Sequence, residues 1–246
     1  MVTMKILSFV GQAILLVGVL VALIFFMELF HIPFKKNVAL SIIAASGLVG
    51  VIGITALVRQ FVRNCYVPKD LLLLMMLLLF WPVLFIYKVG AEGLMAPNMY
   101  DISTDTRNPP ALIYGEATRM SYDSSTVYRH DLVAEQLEAY PDIKSLHIAL
   151  PIRDVFAMAI YTAAKLGWSV RDWDSKTGHI DVVHKTNFFV FKADIAIRVT
   201  PVGADNSIID VRSASVTSGR DFGFNARRIR AFFAGINVEL KKRQKH

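Results

Sequence analysis

Cysteine is nearly missing from this sequence: Cys65 is the single one among 246 residues. That excludes an intramolecular disulfide framework and any cysteine-built metal cage, and it leaves the redox compartment open, because a domain of this size folds without disulfides. Catalytic signatures are missing too. No HExxH, GxSxG, Walker-type loop or dinucleotide fingerprint occurs, which removes zinc peptidases, nucleophile-elbow hydrolases and the common nucleotide binders in their recognisable forms. Charged residues make up 19% of the chain against 54% hydrophobic, and the shortage is concentrated in the first third.

The net charge of +7 could suggest nucleic acid, but its distribution removes that reading. From Pro97 onward 20 basic residues stand against 17 acidic ones, and four of the basic residues, Lys241, Lys242, Arg243 and Lys245, belong to a basic tail at 241–246. Without those four, 16 basic and 17 acidic residues nearly cancel. The domain therefore lacks an electrostatic footprint for a phosphate backbone, and nucleic acid is excluded as a partner. The tail reads as a solvated end within reach of anionic headgroups.

What is abundant is apolar sequence. Residues 6–30, 38–58 and 71–87 are nearly uninterrupted apolar runs, each about 17 to 25 residues and long enough to cross a hydrocarbon core of about 30 Å. Three transmembrane helices are expected within 1–92. The first run is too long for a signal-peptide core and has no small-x-small cleavage site. Lys5, Arg59, Arg63 and Lys69 flank the spans on one side and Lys35, Lys36 and Lys88 on the other, so the positive-inside bias puts the N-terminus in the cytoplasm and the C-terminal domain outside. Ser46, Gly50 and Gly53 fall on one face of the second span, and Gly11, Gly18 and Ala22 on one face of the first. Small residues in such rows let helices approach closely, whether to pack the spans together or to dock a partner membrane protein. No charge sits mid-span, which argues against an ion path, and Trp81-Pro82 is expected to kink the third helix.

After an exit linker at 91–97 the composition turns polar, and a domain is expected over 98–240. The stretch DISTDTRNPP, 101–110, has the chemistry of consecutive turns and reads as a loop lying on that domain. A short helix is expected at 130–140. A better one at 151–166 has Pro at its start, Ile152, Val155, Phe156, Ala159 and Ala163 on one face, and Gly167 as its stop. Four strands, 168–174, 179–185, 188–201 and 207–216, are joined by turns short enough for antiparallel neighbours. The third alternates Phe189, Phe191, Ala193, Ile195 and Ile197 with Lys192, Asp194 and Arg198, which predicts one packed and one wetter sheet face. A final helix at 222–243 carries Ile229, Phe232, Phe233, Ile236 and Leu240 on one stripe, with Arg227, Arg230 and Lys241 turned away. The fold class is α+β: a three-helix transmembrane region, then a two-layer domain with a four-stranded antiparallel sheet and a long C-terminal helix.

The junction between the last strand and the last helix is the best candidate for chemistry. Ser213 and Ser215 continue the strand face of Ile209 and Val211, Gly219 and Gly223 permit unusual backbone, and Asp221 or Asn225 can cap the helix. A helix start with two hydroxyls and Arg220 could hold an anion, so Ser213, Ser215, Arg220 and Asn225 are candidate ligand contacts. The plainer account is structural capping by Asp221, Gly223 and Asn225, with Asp221 paired to an arginine and Asn225 bonded to the strand end. His179 and His184, five apart on a strand, point to opposite faces and cannot share a metal, while His179 and Asp181 share a face and read as a surface pair. Asp101 and Asp105 read as turn formers, or as a carboxylate pair for hydrolysis if the fold delivers them to one pocket. Neither a metal nor a cofactor is expected.

DISTDTRNPP, AYPDI, KLGW and DVRSASVTSGRDFGFNARRIRAF, in that order, together resemble the domain-of-unknown-function family numbered 1499, over roughly 101–240. The resemblance implies a small α+β domain of bacteria and plastid-containing organisms, often behind membrane spans and outside the cytoplasm, which would place this chain in a bacterial inner membrane with a periplasmic domain. It implies no reaction, substrate or catalytic residue.

These readings together describe an integral membrane protein acting as a non-catalytic accessory or scaffold subunit, in contact with membrane lipids and, through its helices, with a membrane-protein partner. The alternatives are a binding module for an anionic or lipidic ligand at 213–225, and an envelope hydrolase using Asp101, Asp105 or Asp221.

Overall fold

The computed structural model of the protein describes residues 47–48, 69–97, 99–114, 126–185, 192–216 and 221–244. The chain divides into two compact units, Met1–Ala91 with Phe188–Val190, and Glu92–Asn187 with Phe191–His246. Helix α1 (Lys69–Met95) starts in the first; it contains Pro82, and its backbone leaves helical geometry at Gly90, with φ 71° and ψ 170°. A Cβ placed on Gly47 would lie 3.3 Å from Pro82 Cγ, a close approach of the kind small residues allow.

The three expected spans are not found among the described residues. Among the described residues no helix is long and apolar enough to cross a membrane. Runs 6–30 and 38–58, with Gly11, Gly18, Ala22, Ser46, Gly50 and Gly53, lie outside the described residues.

The second unit holds a six-stranded antiparallel sheet in the order β1-β6-β5-β4-β3, with β2 also on β6. Its strands are β1 (Asp101–Ser103), β2 (Leu146–Ile148), β3 (Ser169–Asp174), β4 (His179–Lys185), β5 (Lys192–Pro201) and β6 (Ser207–Ser215). Four of them match the sequence reading, although 188–191 lies outside the described residues; the other two correct it. The start of DISTDTRNPP is a strand, with Ile102 opposite Ser213, and β2 sets Leu146 opposite Ile209. β1 and β2 thus occupy successive halves of one edge of β6, whose other edge pairs with β5. Three-residue strands contain too little alternation to register as a period of two.

Helices α2 (Val133–Ala139, after a 3₁₀ turn at His130–Leu132), α3 (Ile152–Lys165) and α4 (Phe224–Arg243) complete the unit. The helix-side face of the sheet contributes Ile180, Val182, Ile195, Ile197, Ile209 and Val211 to one core with Val155 and Ala159 of α3 and Ile229, Phe232 and Ile236 of α4. Trp168 stacks on Phe232 with ring centroids 5.7 Å apart. The basic residues Lys241, Lys242 and Arg243 prolong α4 instead of forming a loose tail, with Lys242 paired to Glu239 and Arg243 to Asp154.

The opposite face is not the wetter one that alternation predicts. Asp181, Asp194, Asp210 and Arg212 on it are all buried. Leu112 packs on Ala196 and Ala214, and the Tyr114 amide donates to Asp181 at 3.2 Å, so the segment after β1 covers the polar face. Polar strand residues here mark a second buried interface.

Where α3 crosses α4, a Cβ on Gly235 would come within 2.6 Å of Thr162 Cγ2. Thr162 is buried in a helix and stiff at χ1. Overpacking costs about 1–3 kcal/mol, against a gain of about 1 kcal/mol from replacing a helical glycine. Gly235→Ala is therefore expected to lower the unfolding midpoint of the domain, and Thr162→Ser, which removes that methyl, to restore it in the double variant; a more stable Gly235→Ala protein would refute the close crossing.

Candidate functional site

The junction is built from two left-handed residues and one carboxylate. Phe222 (φ 55°) and Gly223 (φ 71°) reverse the chain before α4, a conformation glycine adopts freely and phenylalanine seldom does. Fully buried Asp221 holds the reversal: one carboxylate oxygen accepts from the Gly223 amide at 2.9 Å, the other from the Asn225 amide at 2.7 Å. The helix N-terminus is thus occupied from within.

Asn225, also fully buried, ties the helix to the sheet. Its Oδ1 accepts from Ser213 Oγ at 2.8 Å and from Arg228 Nη1 at 2.7 Å, while its Nδ2 donates to the Tyr100 carbonyl at 2.9 Å and to Ser215 Oγ at 3.1 Å. Both amide protons and both lone-pair directions are in use. Ser213, Ser215 and Asn225, candidate contacts for a ligand, are bonded to one another; Arg220 lies outside the described residues. Arg228 Nε donates to His184 Nδ1 at 3.0 Å, which fixes the ring proton on Nε2. Burial pushes the Arg228 guanidinium down to about 10, against the pull of Asp221. Burial, with help from the Arg228 cation, pushes His184 down to about 4.

The other candidate acids are each engaged elsewhere. Asp101 is not a turn former: it sits in β1 and takes a bidentate pair from Arg212, Nε at 2.9 Å and Nη2 at 2.6 Å. Arg212 also donates to the Thr126 carbonyl at 2.7 Å and lies 5.2 Å from the centre of the Tyr128 ring. Asp105 does form a turn, accepting from the Arg107 and Asn108 amides at 3.0 Å, and pairs with Arg198, which also holds Asp210. His179 meets Asp181 at 3.1 Å, but both are largely covered, so this is no surface pair; His184 lies on the opposite face, as the strand period requires. Among the described residues no group of three His, Cys, Asp or Glu could hold a metal ion.

Sequence reasoning missed Arg228 and Gln136. Arg228 follows Asn225 by three and so shares its buried stripe, a signal that was available. Gln136 clamps the backbone of Ser103 from both sides, accepting its amide at 3.1 Å and donating to its carbonyl at 2.7 Å; a lone glutamine in a seven-residue helix carries no such signal.

Beside the junction a cleft of about 620 Å³ opens among Glu92, Ala96, Tyr140, Phe222, Arg227 and Arg230. Arg227, expected to point into solvent, is half-buried: its guanidinium lies 4.3 Å from the centre of the Phe224 ring and donates to the Phe222 carbonyl at 3.1 Å. Arg230 is exposed and takes Asp142 in a bidentate pair at 2.6 and 2.8 Å.

An unfolded imidazole titrates near about 6.5, and His184 in the fold near about 4. The folded value is the lower one, so the neutral ring is the native form, and its contribution to stability is complete above the unfolded value and lost as pH falls from about 6.5 toward about 4. His184→Gln, which can still accept from Arg228, is expected to lose this part of the slope. Urea midpoints of both proteins between pH 7 and 4.5 test it, and an unchanged difference across that range would refute the buried neutral ring.

No curated protein matches the chain. The family model described as a protein of unknown function, DUF1499, matches residues 101–236, more than half of the chain. That span begins at β1 and ends within α4, so it takes in the sheet, the Asn225 hub and the Asp101–Arg212 pair. The chain belongs to the DUF1499 family.

Proposed function

We propose that the protein is a membrane-anchored, non-catalytic accessory or scaffold subunit, held by its apolar helices in a bacterial inner membrane, with its α+β domain on the outer side. One observation carries this reading. On α1, Phe80, Val83, Ile86 and Tyr87 are each more than half exposed. At i, i+3, i+6 and i+7 they form one outward apolar face, which belongs against lipid or a partner helix and not against water. The lengths of the three apolar runs and the Gly47–Pro82 approach support helices that pack in a bilayer. The charge count beside the runs supports the orientation. The non-catalytic half rests on Asp101, Asp105, Asp221, Ser213, Ser215 and Asn225, all bonded within the domain. None of them is held ready for a substrate.

A second reading, a binding module for an anionic or lipidic ligand, is favoured by the cleft beside Gly223.

Washing native membranes with alkaline carbonate is expected to leave the full chain in the pellet, and native mass spectrometry of a mild-detergent extract to show a companion protein in fixed stoichiometry. Release into the wash would overturn the anchor; a bare monomer would overturn the accessory role.

A further inference from the structure

We propose that the groove between α3 and the end of α4 seats an amphipathic helix of a partner protein, one that carries acidic residues along the flank of its apolar stripe. The inference goes beyond the reading above: it stands on the second unit alone and does not depend on the anchor.

The groove begins where the two helices stop touching. Gly235 meets Thr162 at their crossing, and next to it a groove of about 650 Å³ lies between Ala157, Met158 and Tyr161 of α3 and Glu239, Lys242 and Arg243 of α4. On each helix these residues are three or four apart, so each wall is a single helical face. From Thr162 to Asp154, which pairs with Arg243 at 2.8 Å, α3 rises about 12 Å, enough to support two turns of a third helix. Met158 is buried in the floor, and Ala157 is exposed and small, which lets another backbone come close. Tyr161 is 54% exposed, and Val238, one turn before Lys242, is 48% exposed. Large apolar side chains thus stand in water on both helices, as anchors for a helix laid in a groove do.

Charge selects the occupant. One oxygen of Glu239 takes both Lys165, at 2.9 Å, and Lys242, at 2.8 Å, and Lys165 also lies 5.8 Å from the centre of the Tyr161 ring. The Glu239 side chain is only 15% exposed, whereas those of the two lysines are 51% and 53% exposed. The carboxylate therefore lies beneath and the ammonium groups face outward. With Arg243 and Asp154, three cations stand against two carboxylates at this groove, and exposed Lys241 follows on the same helix. Exposed ion pairs are weak, so an incoming carboxylate exchanges with them at little cost. A second copy of the chain is a poor occupant, because a two-fold contact would set the same lysines against one another. An acidic amphipathic helix uses both features, its stripe against Met158 and Tyr161 and its flank against Lys165 and Lys242.

The test uses the full chain in phosphatidylcholine nanodiscs and two fluorescein-labelled helical peptides with the same leucine stripe, one flanked by glutamates and the other by lysines. Binding is read by anisotropy against empty nanodiscs. The glutamate peptide is expected to bind about tenfold tighter, because several rim pairs act together. Combining Lys165→Glu with Lys242→Glu is expected to invert that preference. Ala157→Trp, at an exposed position of α3, is expected to fill the groove and abolish binding of both peptides with no change in the unfolding midpoint. Equal or undetectable binding of the two peptides, a preference that survives the charge reversal, or binding that Ala157→Trp leaves intact would overturn the proposal. So would capture of phosphatidylglycerol vesicles, lost in Ala157→Trp, without peptide binding, since that outcome assigns the groove to a lipid surface.

Discussion

Burying two opposite charges side by side is expensive, and the domain does so where β1 meets β6. The side chains of Asp101 and Arg212 are each 3% exposed. Desolvating such ions costs several kcal/mol apiece, and only a well-aligned pair with its remaining donors satisfied recovers that. Here the pairing is bidentate, the Thr126 carbonyl takes a further donor, and the Tyr128 ring lies beside the guanidinium. The geometry fixes more than one contact. It sets the register of β1 on β6, holds the segment that follows β1 over the polar sheet face, and draws in the chain at Thr126–Tyr128.

The helix side has its own polar anchor. Asn225 bonds Ser213, Ser215, the Tyr100 carbonyl and Arg228 at once, so the first turn of α4 is tied to the end of β6 and to the residue before β1. Asp221 fixes the turn that leads there. Removing any one partner would leave buried polar atoms unsatisfied, the costliest outcome in a low-dielectric interior. The same arrangement determines where Arg227 and Phe222 stand, and therefore the shape of the cleft. In this domain, polar residues that look like chemistry mostly serve architecture.

Much of this was legible in the sequence. The α3 and α4 stripes, the four long strands and their antiparallel order followed from periodicity and turn length, because those elements are long enough for the period to repeat. The N-cap is Gly223 and carries no side-chain cap; Asp221 acts from two residues before it, on the Gly223 and Asn225 amides. What escaped was whatever depended on tertiary pairing. β1 and β2 are three residues each and form only because β6 offers a long free edge. The polar face of β5 looked solvated because alternation reports the side a residue faces and not what covers that side; Asp194 and its neighbours lie under a segment rich in turn residues. Arg212 and Asp101 are 111 residues apart in sequence, and no local pattern could join them.

The central claim is that these polar networks hold the fold, and a double-mutant cycle on Asp101 and Arg212 tests it most directly. Equilibrium unfolding would be measured for the wild type, Asp101→Leu, Arg212→Met and the double variant. Each single change is expected to cost about 3–5 kcal/mol by leaving a buried charge alone, and the double variant to recover a large part of the sum, because an apolar pair carries no such charge. Single effects that add to within about 0.5 kcal/mol, or that are individually small, would contradict a structural ion pair.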